Sequence, residues 1–459
     1  MKSSKGKRIL GVLASLRLAV FIIVALGVVS AVGTITEARF NDSEVANQLV
    51  YQSPWMYSVM LLLVVNLVAV MVSRWPWRAH HTGFILAHIG IIILLFGAWL
   101  TQRYGIDGNM AFEIGESRDV VTVKERDLMV YALGENGEMR AIHQGPANFL
   151  RSPPSMEKPL VVSAGADELR FVEHHQFAFR ESEMLISDAK TDGPAIRFQL
   201  ENPNVNMTQW LRREAGRPLA QLDLGPAKVV LSQQALPPSG RNEVILVPRQ
   251  DSTILDYVIY NKDKGLRKKG QVVQSETVDT GWMGMKFRLL RFLQHSSERV
   301  SFKPISYFTP MTTSAVRFTL KGKDYWAGLD VPLKVFLEDR AYLVVYGHRQ
   351  IPLNFSLRLK EFRMGKYQGT QRAASYESEV DVPDRGTVVI SMNEPLKHQG
   401  FTFYQASFEQ NERGEPTVSV LSVNWDPGRW LKYLGSLLIV AGSIILFYFK
   451  RAKIFRKGS

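Results

Sequence analysis

The sequence predicts an integral membrane protein with four transmembrane α-helices and one large β-rich extracytoplasmic domain between helices 3 and 4. Three observations predict this fold: four long apolar stretches, basic residues grouped beside them, and alternating apolar residues in the segment between the third and fourth stretches. The chain has 459 residues and 46% hydrophobic content, but its apolar residues are concentrated near the two ends.

Each apolar stretch is close to the ~20 residues that a helix needs to cross the hydrocarbon of a bilayer. None contains Asp or Glu. A cleaved signal peptide is the alternative for the first stretch, but its length and the lack of an A-x-A site favour an uncleaved anchor. The predicted segments are a cytoplasmic N-terminus (1–17), helix 1 (18–36), an outer loop (37–54), helix 2 (55–73), a cytoplasmic turn (74–81), helix 3 (82–101), the β-rich domain (102–428), helix 4 (429–449) and a cytoplasmic tail (450–459).

Charges beside the spans predict the orientation of the chain. The N-terminal segment and the tail hold five basic residues each, and the short turn adds Arg74 and Arg78, with no acidic residue in these three segments. The positive-inside rule therefore places both termini and the turn in the cytoplasm. The net charge of +13 is mostly this topology signal, which argues against nucleic-acid binding.

The segment after helix 3 has the period-2 alternation of β-strands, as in Ala315–Leu320. Within it, Met207–Glu214 is a candidate short helix, and the polar stretches 201–219 and 261–273 resemble loops. Residues 195–200 are similar to 315–320, so an internal duplication is one alternative and a chance match between two strands is the other.

His88 is the residue most indicative of function, because it lies inside the third predicted span. An imidazole in hydrocarbon normally faces a partner, a cavity or a cofactor, and neutral imidazole is a good ligand for haem iron. The alternative is a hydrogen bond between helices, to a backbone carbonyl or to Asn66. The residues alone favour neither.

The same helix carries Gly83, Gly90 and Gly97 at intervals of seven residues. At 3.6 residues per turn these glycines share one face, where a neighbouring helix can approach closely. His88 projects to a different side of the helix. The pattern predicts a helix that packs on one side and offers its imidazole on another.

The turn before this helix carries Arg74, Arg78, His80 and His81 at the inner membrane surface. One interpretation is that they only determine topology. The other is that Arg74 and Arg78 form a cationic rim for the propionates of a haem that enters from the cytoplasmic leaflet. Elsewhere the chain has no Walker loop, no G-x-S-x-G and no C-x-x-C-H, and it contains no cysteine. No catalytic residue is therefore predicted.

Several stretches resemble the ResB proteins of cytochrome c biogenesis by the system II route. They cover the membrane ends and the last part of the β-rich segment, whereas residues 102–300 carry little resemblance. The stretches are Ser15–Phe21, Val32–Thr34, His81–Gly90, Phe96–Trp99, Tyr367–Thr370, Ala374–Ser378, Asn393–Leu396, Phe403–Phe408 and Asp426–Trp430.

This resemblance implies a haem-handling and scaffold subunit of a cytochrome c synthetase in the bacterial inner membrane, with its large domain in the periplasm. The implied partners are a ResC/CcsA-type membrane protein, apocytochrome c and, indirectly, a thioredoxin-like thiol reductant. The implied cofactor is haem b, held transiently or shared with the partner. His88 matches a haem-ligand position of the fused form of this system, and chemistry at the haem vinyl groups is expected in the partner.

A second class of function stays open. The chain is alternatively a membrane-anchored envelope sensor or assembly scaffold whose β domain binds a ligand or a partner protein. Loss of c-type cytochromes on deletion of the gene separates the two, because only the first class requires it.

Overall fold

The computed structural model describes residues 2–134, 138–187, 192–214, 216–225, 227–249, 252–263, 265–337, 340–366, 373–410 and 416–448. The predicted tail at 450–459 and the stretch Tyr367–Thr370 lie outside these residues.

Helices form both ends of the described chain. The α-helices are α1 (Lys2–Leu13), α2 (Leu16–Phe40), α3 (Ser43–Ala46), α4 (Pro54–Ser73), α5 (Thr82–Tyr104) and α6 (Arg429–Tyr448), with a π-helical turn at Asn47–Tyr51 and a 3₁₀ turn at Ala79–His81. Within the described residues, α2, α4, α5 with its preceding turn, and α6 are long and apolar enough to cross a membrane. Side-chain oxygens cap two of them, because Ser15 accepts from the Leu18 N–H and Ser53 from the Met56 N–H.

Strands follow α5 in the chain and precede α6. They are β1 (Ile106–Glu113), β2 (Ser117–Leu133), β3 (Met139–Pro146), β4 (Leu160–Ala164), β5 (Asp167–Ile186), β6 (Ala195–Asn202), β7 (Val205–Arg212), β8 (Leu219–Asp223), β9 (Ala227–Ser232), β10 (Asn242–Pro248), β11 (Leu255–Asn261), β12 (Gly265–Val272), β13 (Thr277–Asp279), β14 (Lys286–Leu293), β15 (Ser296–Pro304), β16 (Thr313–Leu320), β17 (Lys323–Gly328), β18 (Leu333–Phe336), β19 (Ala341–Lys366), β20 (Ala373–Val382), β21 (Gly386–Ser391), β22 (Leu396–His398), β23 (Phe401–Gln410) and β24 (Pro416–Trp425). The predicted combination of four such helices with a large β-rich region is confirmed.

The chain divides into two compact units, of which the first comprises 1–179 and 304–459 and the second 180–303. The first unit contains the helices and a sheet with the strand order β21-β20-β19-β2-β1-β24-β23-β22, to which β18 and β3 add at the sides. Strand β19 runs through two hydrophobic cores of this unit, since Tyr346 is buried in one and Leu357 in the other. In a further sheet of this unit, β5 pairs with β4 and β16, and β16 pairs with β17.

The second unit is built around one core between two sheets. Their strand orders are β12-β11-β10-β9-β8 and β13-β14-β6-β7. Apolar side chains from both sheets meet in this core, including Phe198 of β6, Leu246 of β10 and Phe287 of β14. Burial of this apolar surface is the main stabilising term of such a sandwich.

Three sequence-based expectations for the second unit are wrong. Met207–Glu214 is not a helix, because Val205–Arg212 forms β7, and the two expected loops contain β7 and β12. Both are edge strands in which half or more of the residues are exposed, so they lack the alternating apolar pattern of a half-buried strand. Backbone hydrogen bonds to β6 and β11 hold them, and the local sequence does not reveal such pairing.

The similar segments 195–200 and 315–320 both form strands, β6 and β16. Each pairs with the next strand in the chain as a hairpin. Their other neighbours differ in chain position, since β14 follows β6 whereas β5 precedes β16. The pairing therefore gives the suggested duplication no support beyond a shared hairpin.

Candidate functional site: the histidine face of α5

The glycines of α5 lie against the backbone at the start of α6 and along it. A Cβ atom added at Gly90 would lie 2.7 Å from the carbonyl oxygen of Gly435, and one added at Gly83 would lie 2.7 Å from that of Gly442. Helix α6 thus contributes its own glycines at an interval of seven, and the two backbones touch directly. The predicted close approach of a neighbouring helix is confirmed, and that neighbour is α6.

The C-terminal end of α5 is fixed to the start of α6 by one carboxylate. Asp426 Oδ1 accepts from the Thr101 hydroxyl at 2.6 Å, and Asp426 Oδ2 accepts from Lys432 Nζ at 2.7 Å. Because Thr101 belongs to α5 and Lys432 to α6, the carboxylate ties the two helices together. The glycine contacts and this tie together fix the rotation of α5 about its axis.

His88 is partly buried, and its ring is held by its own helix. Its Nδ1 lies 2.9 Å from the carbonyl oxygen of Phe84, one helical turn earlier. A carbonyl can only accept a hydrogen bond, so Nδ1 carries the proton. The neutral ring then has its lone pair on Nε2. An imidazole that binds a metal commonly donates its other ring N–H to a carboxylate, a backbone carbonyl or water, which fixes the orientation of the ring.

Phe84 makes two further contacts at this site, one with the His88 ring and one with Arg74. The Phe84 and His88 ring centroids are 3.9 Å apart, and the Arg74 guanidinium carbon lies 3.8 Å from the Phe84 centroid. Phe84 thus contacts both the Arg74 guanidinium and the His88 ring. Sequence reasoning missed Phe84, although its position four residues before His88 on a helix could have indicated the contact.

The other predicted residues are placed differently. Arg78 is exposed, and its backbone N–H donates to Nδ1 of His81 at 3.3 Å. The structure therefore brings Arg74, and not Arg78, into contact with Phe84 beside His88. Asn66, named above as one alternative partner of His88, is buried and donates from Nδ2 to the carbonyl of Leu13 at 2.6 Å, whereas His88 bonds to the carbonyl of Phe84.

A second polar cluster lies in the first unit and was not anticipated from the sequence. Arg126, whose side chain is only 9% exposed, pairs with Asp42 at 3.0 Å and also donates to Tyr346 and Gln176. His174 lies within 3.1 Å of the Tyr346 hydroxyl. The cluster connects the segment after α2 with β2, β5 and β19, which are far apart in sequence.

Burial keeps the His174 ring of this cluster neutral. Burial, followed by the nearby charge of Arg126 and then His175, lowers the pKa of His174 to about 3. The ring is therefore neutral near pH 7 and acts as a structural hydrogen-bonding group. Beside the cluster is a polar cavity of about 370 Å³ whose lining includes Glu44, Gln48 and Arg151.

Together these features define a protein with membrane-length helices and a β-rich region, in which one such helix carries an oriented imidazole. Residues 338–420, from just before β19 into β24, match the profile of a family described as the ResB-like family. Protein NrfI of Wolinella succinogenes is 35% identical over 113 residues, which are 24% of this chain and 12% of NrfI. This chain thus matches only about an eighth of that relative's length.

These matches confirm the resemblance to the ResB family and support a role in cytochrome c biogenesis. The family match covers the last part of the β-rich region. The histidine face of α5 lies outside it.

Proposed function

We propose that this chain is a haem-handling and scaffold subunit of system II cytochrome c biogenesis. In this proposal it assembles with a ResC/CcsA-type membrane protein and helps to deliver haem across the membrane to apocytochrome c. The observation that carries the proposal is the hydrogen bond between His88 Nδ1 and the Phe84 carbonyl, because it leaves the Nε2 lone pair for a metal ion.

The position of this ring supports the assignment. An imidazole in the hydrocarbon region is costly, and it is normally retained for a partner or a function. Its own helix satisfies only one of its two nitrogens. The glycine face of α5 is occupied by α6, and His88 lies 160° around the helix from Gly90 at about 100° per residue. The imidazole is therefore directed away from the α5–α6 contact.

The residues present fit a haem that is held by one axial ligand from this chain. A bound haem supplies an iron that accepts a nitrogen lone pair, and His88 Nε2 has the tautomer for this role. Arg74, one ring removed from His88, is the candidate contact for a propionate. The second axial ligand would come from the partner. Arg78 stays a weaker candidate for the other propionate.

The location belongs to the same proposal. Both termini and the turn at 74–81 would face the cytoplasm, and the β-rich region would face the periplasm, since all three basic segments then follow the positive-inside rule. The periplasmic region would dock apocytochrome c or shape the exit for haem. A thioredoxin-like reductant would act on the apocytochrome and not on this cysteine-free chain.

The test is His88→Ala in the co-purified complex with the ResC/CcsA-type partner. We expect loss of the haem absorbance band and of holocytochrome c, with partial recovery of the band when imidazole is added to fill the vacated position. His143→Ala, on strand β3, is the matched control and should retain both signals. Recovery by imidazole separates a ligand from a residue that only supports folding.

Two results would oppose the proposal. Unchanged haem content in a stable His88→Ala complex would remove the ligand role. Normal levels of all c-type cytochromes after deletion of the gene would remove the haem-handling role altogether and favour the sensor or scaffold alternative.

A further inference from the structure

The connection between β15 and β16 exposes apolar and aromatic side chains on the first unit. In this segment, here called the aromatic loop (305–312), Tyr307 is 61% exposed, Phe308 is 40% exposed and Met311 is 81% exposed. The loop contains no charged residue. Exposed apolar side chains without charges between them are typical of a surface that binds another protein or a membrane.

The exposure of Met311 is imposed by a turn. The Thr312 N–H donates to the carbonyl of Thr309 at 3.0 Å, and the Thr312 hydroxyl donates to the same carbonyl at 2.7 Å. The Thr309 N–H in turn donates to the Thr312 hydroxyl oxygen at 3.1 Å. Pro310 occupies the second position of the turn, where its fixed φ is favourable. The turn therefore holds Met311 at its tip.

Aromatic contacts connect the loop with the end of α2. Phe40, the last residue of α2, stacks on Phe177 of β5 with ring centroids 6.0 Å apart. Phe177 in turn meets Phe308 edge to face, also at 6.0 Å. The Ile305 N–H donates to the carbonyl of Phe177 at 3.0 Å. The aromatic loop thus lies within two ring contacts of the outer end of a membrane-length helix.

We propose that the aromatic loop inserts into the outer interface of the lipid bilayer and forms a membrane contact separate from the helices. Aromatic side chains favour the headgroup region, and an apolar tip such as Met311 favours the adjoining acyl chains. The proposal rests on the membrane topology proposed above, which puts Phe40 at the outer surface. The contact would hold this part of the β-rich region at the bilayer, close to where haem must leave the membrane.

The chain contains no cysteine, so single cysteines give unique labelling sites. We suggest nitroxide labels at Met311→Cys, at Val28→Cys on the exposed face of α2, and at Met156→Cys, in the full-length protein in lipid nanodiscs. Met156 is 67% exposed in the connection between β3 and β4 of the same unit. Accessibility to oxygen, which concentrates in lipid, is compared with accessibility to a water-soluble nickel chelate.

We expect the Met311 label to resemble the Val28 label, with at least a several-fold preference for oxygen, and the Met156 label to prefer the nickel chelate. A Met311 label that behaves like the Met156 label, while the Val28 label reports lipid, would overturn the loop proposal alone. A water-accessible Val28 label would overturn the topology and the loop proposal with it. Shielding of the Met311 label from both reagents only when the partner is present would identify a protein contact instead.

Discussion

The glycine contact between α5 and α6 provides the most direct quantitative test of the helical region. In Gly90→Ala the new Cβ would lie 2.7 Å from the Gly435 carbonyl oxygen and 2.8 Å from the Ile439 backbone nitrogen. Both are backbone atoms of α6, so no side-chain rotation can relieve the clash. To reach ordinary van der Waals contact at 3.4 Å, the helices must separate locally by about 0.7 Å.

The magnitude follows from this separation. A gap of ~0.5–1 Å removes about a quarter to a half of the dispersion energy of each contact along the seam. Overpacking of a tight contact costs about 1–3 kcal/mol. We therefore expect Gly90→Ala to lower the free energy of unfolding of the helical region by about 2 kcal/mol. The rotation of α5, and with it the direction of His88, should change as well.

The assay is unfolding in mixed micelles with increasing dodecyl sulfate, followed by the helical circular dichroism signal. Gly27→Ala is the matched control, since a Cβ there has nothing within 4 Å and the change in helix propensity is the same. The difference between the two variants isolates the steric effect. Equal free energies of unfolding for both variants would refute the assignment of this glycine face to close helix packing.

Two further predictions concern the cluster around Arg126. Arg126→Met leaves the Asp42 carboxylate without its cationic partner and should lower the free energy of unfolding of the first unit by about 3 kcal/mol. The change should be about 0–1 kcal/mol for Arg170→Met, which removes an exposed ion pair; a similar loss in both variants would contradict the burial argument. Because the folded pKa of His174 is about 3 and its unfolded pKa is ~6.5, the folded state binds fewer protons, so stability is complete above ~6.5 and is lost as the pH falls toward 3. Acidification from pH 7.5 to 5 should cost about 2 kcal/mol of unfolding free energy, and a His174→Gln protein with an unchanged pH slope would argue against this source.

Much of the candidate site could be predicted from local sequence. His88 lies within an apolar stretch that is visible in the sequence. The glycines at intervals of seven share one face because a helix has 3.6 residues per turn. The same period separates His88 from the Gly90 face. The tautomer of the His88 ring could not be predicted from the sequence, because the Phe84 carbonyl competes with any hydrogen-bond acceptor on another helix.

The sequence by itself determined the four membrane-length helices, their order, and the β-rich character of the segment between α5 and α6. These properties depend on composition and on short-range periodicity, which neighbouring residues carry. Only the tertiary structure showed that the second unit is separate, that β7 and β12 are strands, that α6 covers the glycines of α5, and that Asp42 pairs with Arg126 from 84 residues away. The reason is physical: backbone pairing at sheet edges and buried ion pairs are contacts between distant segments, and they leave no periodic pattern in either segment alone.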